Sequence, residues 1–205
     1  MIWLTSDLHF CHQRDFLYKP RGFESAQEMN KAIVANWNEV VLPNDDVYVL
    51  GDLMLNDNDE GARLVKQLKG NIHIILGNHD TDSRIELYKT FWNVKSIEYA
   101  TRLEYNGYQF FLSHYPTLCA NHDSDKPLKH RCVSLCGHSH TLNCWADWDK
   151  GLIYHCELDA HHNTPVSLDT IIHDIKQKII MEHIDQITSK EIKADCNEVK
   201  CYYME

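Results

Sequence analysis

Of the 205 residues, 30 are acidic and 20 basic, giving a formal net charge of -10. That length allows one domain with a well-buried core, while the acidic balance speaks against an extended, sequence-independent grip on nucleic acid, which depends on many Lys and Arg contacts to phosphates. A small or locally held substrate fits better. No apolar stretch approaches membrane-spanning length, and a strand-like run begins within a few residues of Met1. Neither a membrane partner nor an N-terminal signal peptide is therefore expected, and the expected location is cytoplasmic.

In chain order, Ile2-Trp3-Leu4 predicts a first strand that runs into Asp7-Leu8-His9. Met29, Ile33, Val34, Trp37, Val40 and Val41 recur at helical spacing, with Ser25 as N-cap, Glu28 completing a capping box and an end near Pro43. A second strand, 47–50, meets Gly51-Asp52. A helix over 60–69 repeats Ala62, Val65 and Leu68 and stops at Gly70 or Asn71. A third strand, 72–76, meets Gly77-Asn78-His79-Asp80, and a helix over 83–91 follows. Asn106-Gly107 between the β-rich runs 101–105 and 108–112 predicts a hairpin, and the second run leads to His114. Residues 116–131 read as a long loop, Val133-Ser134-Leu135 as a strand into Gly137-His138-Ser139-His140, 151–157 as another strand, and an amphipathic helix starts near Ser167. This order predicts an α/β (α+β) fold, two sheets packed face to face with helices outside, in a single domain over 1–185; the charged tail 186–205 receives no role.

Eight cysteines, at 11, 119, 132, 136, 144, 156, 196 and 201, contain no Cys-x-x-Cys pair, so neither a zinc knuckle nor a disulfide framework is indicated. Most are expected to be buried thiols. Cys11, directly after the first motif, is the one expected to be metal-sensitive or oxidisable.

Five apolar runs thus end on metal-ligand residue types, as when buried strands deliver polar residues at their ends. If the first strand continues through Asp7 and His9, both side chains point to the same side and converge on one metal, a geometry repeated by His138 and His140. With Asp52, Asn78 and His114 the set holds two carboxylates, four imidazoles and one carboxamide. Such a shell suits Mn, Fe, Zn, Ni or Co better than Ca, and seven ligands exceed one tetrahedral ion. Two divalent ions sharing one carboxylate, manganese foremost, is the economical expectation. Such a pair clamps the attacking and leaving oxygens of an in-line displacement and activates a water as hydroxide, which points to phosphate ester hydrolysis.

The ordered set Asp7-x-His9, Gly51-Asp52, Gly77-Asn78-His79-Asp80, His114 and Gly137-His138-x-His140 resembles the calcineurin-like metallophosphoesterase superfamily over about residues 1–140. The resemblance implies a sandwich of two mixed sheets flanked by helices. It also implies Asp7, His9 and His140 on one ion, Asn78, His114 and His138 on the other, and Asp52 bridging. His79 would stand beside the substrate phosphate, stabilising the transition state or protonating the leaving oxygen, with Asp80 orienting its ring. The stretches 6–12 and 159–171 resemble a small bacterial and viral branch.

The superfamily's protein phosphatases carry an Arg in their second motif, whereas Gly51-Asp52-Leu53-Met54-Leu55-Asn56-Asp57 has none. The expected activity is a phosphodiesterase on a small or nucleotide-like substrate. The alternative is a phosphomonoesterase using Arg14 or Arg131. A non-catalytic scaffold ranks lower, because every ligand and His79 are present. His12 is a further candidate phosphate contact. Arg14, Lys19, Arg21, Lys126, Lys129, His130 and Arg131 form either an anion-recruiting rim or, the weightier reading in an acidic chain, solvated loop charge; His122 shares that ambiguity. Trp145 and Trp148 are candidates for base stacking or core packing, and His161-His162 for a surface pair rather than a third metal contact.

Overall fold

The computed structural model describes residues 1–119 and 126–202, the side chains of 186–202 excepted. The first sheet takes β1 (Ile2–Thr5), β2 (Asp46–Val49), β3 (Asn71–Ile75) and β4 (Val94–Glu98), all parallel, with β9 (Val166–Ser167) antiparallel against β1, in the order β4-β3-β2-β1-β9. The second sheet has the order β5-β6-β7-β8. In it β5 (Ala100–Tyr105) and β6 (Tyr108–Ser113) form an antiparallel hairpin, and β7 (Cys132–Cys136) and β8 (Ile153–His155) continue parallel. Both sheets are mixed and helices flank them, as the resemblance implied. Asn106 and Gly107 turn the hairpin at φ 51° and 76°, the left-handed pair such a two-residue turn requires.

The crossovers are α2 (Ala26–Val40), α3 (Asn58–Val65) and α4 (Asp82–Tyr88), after the one-turn α1 (Asp15–Tyr18). Ser25 caps α2 by accepting the Glu28 amide at 3.1 Å, but the Glu28 carboxylate takes the amide of Glu24 rather than that of Ser25, so only half of the expected capping box forms. Met29, Ile33 and Trp37 on the inner face of α2 are buried with Val47, Val49, Ile72 and Ile74 of the first sheet. The Trp37 indole also donates to the Lys69 carbonyl at 2.9 Å, tying α2 to the approach of β3. Helix α3 starts earlier than expected because Asp57 caps it through the Glu60 amide, and it ends earlier because the chain over 66–68 tightens into i to i+3 bonds.

The chain divides into two compact units, Met1–Leu168 and Asp169–Glu205. Helix α5 (Leu168–Tyr202) passes unbroken through residue 186, where the sequence placed the start of a tail. Within the expected 116–131 loop, Leu128–His130 forms a 3-10 turn; residues 120–125, His122 among them, lie outside the described residues. No helix of the described residues is long and apolar enough to cross a membrane.

Candidate active site

Strand β1 stops at Thr5, so Asp7 and His9 do not continue its alternation. They take left-handed backbone at φ 56° and 48°, and Asp52, His138 and His140 do the same at 57°, 75° and 49°. The expectation that spacing two apart on a strand makes Asp7 and His9 converge is therefore corrected: they converge through turns. Such conformations cost non-glycine residues about 1–3 kcal/mol each and persist only where their surroundings fix them. Here backbone pairing continues past the strands and fixes them, Asp7 N to Gly51 O at 3.0 Å, His9 N to Asp52 O at 2.9 Å and Phe10 N to Leu53 O at 3.1 Å. Close backbone approach brings the two sheets together here. A Cβ at Gly137 would lie 1.8 Å from Ser6 Oγ, and one at Gly51 2.3 Å from His114 Nδ1, so neither position accepts a side chain.

The donor atoms sort into two groups that meet at Asp52. In one, His9 Nε2 and His140 Nε2 are 3.1 Å apart and lie 3.7 and 3.6 Å from Asp7 Oδ1. In the other, Asn78 Oδ1 is 2.9 Å from His114 Nε2 and 3.0 Å from His138 Nδ1, and the two imidazole nitrogens are 3.1 Å apart. Asp52 Oδ2 lies 3.6 Å from both His9 Nε2 and His114 Nε2, while its Oδ1 accepts the His79 amide at 2.9 Å. Ligands held at about 2.0–2.2 Å from one ion stand about 3.0–3.6 Å from one another, and the separations within the two groups, 2.9–3.7 Å, are close to that.

The chemistry of the donors fits a divalent ion. The Leu50 carbonyl can only accept, so the 2.8 Å contact puts the His114 proton on Nδ1 and turns the Nε2 lone pair toward Asn78 Oδ1. Asp159 likewise takes the Nδ1 proton of His140 at 3.1 Å, so Nε2 is the nitrogen that faces His9. Asp7 Oδ2 accepts from Ser6 Oγ at 2.5 Å and the His138 amide at 2.8 Å, but its buried Oδ1 has no hydrogen-bond partner. Lone pairs aimed at one another around an orphaned carboxylate oxygen call for a cation. Burial lowers the His9 pKa and keeps the ring neutral, as metal ligation requires. Burial raises Asp7, but the adjoining imidazoles outweigh it and hold the carboxyl at about 2.

Residues 1–158 match the model of the calcineurin-like phosphoesterase superfamily domain. The chain belongs to this superfamily. An uncharacterised protein of Methanocaldococcus jannaschii is 33% identical over 91% of this chain and 97% of its own length. The gene 66 protein of Mycobacterium phage L5 is 27% identical over 68% of this chain and 77% of its own. Among solved structures, a protein of unknown function from Aquifex aeolicus superposes with a TM-score of 0.65 at 26% identity, covering 84% of this chain and 98% of that one.

In this superfamily member His79 stands at the cleft with its Nε2 4.0 Å from Asp52 Oδ2 and its ring 5.4 Å from that of His9. Asp80 does not orient that ring, which corrects its expected role. Its carboxylate instead accepts the amides of Asp52 and Gly77 at 2.9 and 2.8 Å and the Tyr88 hydroxyl at 2.7 Å. Asp80 is a positioning residue, buried and engaged in holding together the loops that carry Asp52 and Asn78. Arg84 donates to the His79 carbonyl.

His12 lines the cleft, and burial with the nearby His9 and His79 pushes its pKa down to about 4. Neither Arg14 nor Arg131 lines it: Arg14 is exposed ahead of α1, and Arg131 precedes β7 at the end opposite Gly137. Lys19 pairs with Asp15 on the surface, and Lys129 lies over the Tyr108 ring. Arg21 fits neither rim nor solvated charge. Its side chain is 1% exposed, bonds both oxygens of Asp159 at 3.0 and 2.6 Å, and donates to the Asp7 carbonyl at 2.8 Å. Burial raises Asp159, but its bonds to His140 and Arg21 prevail and hold it well below the carboxylate range. Sequence reading missed this pair because 138 positions separate its members. Cys11 is buried, and burial with Asp57 and Glu60 lifts its thiol to about 11, so it lacks the thiolate that ready oxidation needs. Trp145 packs edge-on against Trp148 and Tyr154, and His161 bonds the His155 carbonyl; none of these residues lines the cleft.

Proposed function

We propose that the chain is a hydrolase of phosphodiesters with a small or nucleotide-like organic part, working with two divalent ions, manganese foremost. The observation that carries this reading is Asp52 Oδ2, equidistant at 3.6 Å from a donor of each group. Ions bound there would polarise the phosphoryl oxygens and make a water acidic enough to attack near neutral pH. The chain's own contribution is placement. Asp52 Oδ1 anchors the 77–80 loop through the His79 amide, the His79 ring faces the cleft, and from there its proton is delivered to the leaving oxygen.

The diester preference rests on charge. Among the described residues lining the cleft the basic groups are imidazoles, with no Lys or Arg to match the second charge of a monoester. The monoesterase alternative needed Arg14 or Arg131, and neither lines the cleft. The deciding experiment compares bis(p-nitrophenyl) phosphate with p-nitrophenyl phosphate on protein stripped of metal and reloaded with Mn. Faster diester cleavage is expected. Faster monoester cleavage would overturn the diester preference, and no cleavage of either with two ions bound per chain would overturn the hydrolase reading.

A further inference from the structure

The cleft that holds the donor groups has an apolar side. Its volume is about 560 Å³, within the range of small-molecule sites, and Phe16, Leu17, Pro20 and Leu142 line it beside the imidazoles. On the single turn of α1, Leu17 is 5% exposed and anchors the helix, whereas Phe16 is 70% exposed. Packing alone gives Phe16 no reason to be aromatic. Its ring stands edge-on to His12 with centroids 5.3 Å apart, and His12 stands edge-on to His9 at 5.6 Å, so two ring contacts link the open rim to the donor cluster. This apolar side offers an ester's organic part apolar and aromatic contact beside the donor cluster.

We propose that Phe16 is a stacking subsite for a planar aromatic ring esterified to the phosphate held at the donor groups, which makes nucleotide or other aryl phosphodiesters the preferred substrates. The proposal rests on the cleft being a phosphoester site. Trp145 and Trp148, which the sequence offered for this role, lie outside the cleft lining. Stacking on an aromatic side chain raises affinity about 5- to 160-fold per base.

The test is calorimetric binding of thymidine 5′-monophosphate, phenyl phosphate and deoxyribose 5-phosphate to the Mn-loaded full chain, in the wild type, Phe16→Ala and Phe16→Trp, beside bis(p-nitrophenyl) phosphate hydrolysis. The wild type is expected to bind the nucleotide about tenfold more tightly than the sugar phosphate. Phe16→Ala should bring that ratio close to one and Phe16→Trp should keep it. A gain for the nucleotide alone assigns the subsite to a nucleobase; an equal gain for phenyl phosphate assigns it to aryl groups in general. A wild-type ratio near one, or a ratio unchanged in Phe16→Ala, overturns the subsite. Failure of the wild type to cleave any ester overturns the hydrolase reading instead, whatever the binding ratio.

Discussion

Asp52 lies 3.6 Å from a donor of each group, whereas His79 faces the cleft without belonging to either. Their substitutions should therefore separate. Asp52→Asn weakens the charge shared by the two groups, and metal content and turnover should fall together. His79→Ala should keep the metal and lose about 10²- to 10⁴-fold in kcat, the usual share of a positioned acid. Metal content by plasma mass spectrometry beside kcat reads both, and equal metal loss would remove the separate role of His79. The donors were legible because each follows an apolar run. Their convergence was not, since Asp7, His9 and Asp52 reach each other through left-handed turns that no alternation rule describes. Asp80 was legible as a member of its motif, yet its work on the Asp52 and Gly77 amides became visible only once those loops were adjacent.

Between elements, the Arg21–Asp159 pair joins the segment after α1 to the 3-10 turn Leu158–His161 and steadies His140. Both side chains are buried, at 1% and 6% exposure. Removing the guanidinium leaves a buried carboxylate uncompensated, so Arg21→Ala should cost about 3–5 kcal/mol of unfolding free energy. Urea denaturation measures it, and a loss below about 1 kcal/mol would show the pair to be as weak as a surface one. Strands β1 to β3 and helix α2 were legible because their apolar periods survive without tertiary help. The bounds of α3 shifted because the capping Asp57 and the tightening after Val65 are local chemistry that periodicity does not weigh. Arg21 itself read as loop charge, since nothing near it in sequence announces a partner.

Across the 1–168 unit, the donors come from both sheets: Asp7, His9, Asp52 and Asn78 follow β1, β2 and β3, while His114, His138 and His140 follow β6 and β7. Ions held there would cross-link the sheets and bind only the folded state. Saturation at a hundredfold excess over Kd contributes about 2.7 kcal/mol per site, or about 5–10 °C in Tm for a unit of this size. Thermal melting with Mn and then with a chelator measures that difference, and coincident curves would mean the donors hold no ion. The fold class and the ordering of the site were legible at this scale. The break at Leu168 was not, because the amphipathic pattern that opens α5 carries no mark of a boundary.

The backbone bonds that pair Asp7, His9 and Phe10 with the loop after β2 involve no ligand atom. Since these bonds, with those of Asp80 to the Asp52 and Gly77 amides, hold the turns through protein atoms alone, binding of an ion there would be an exchange of hydration water rather than a folding event. Mixed nitrogen and oxygen donors accept several divalent transition ions, and availability then acts beside geometry in selecting among them. Cellular supply would help decide which ions the chain carries, and the same polypeptide could work with different ions as that supply changes.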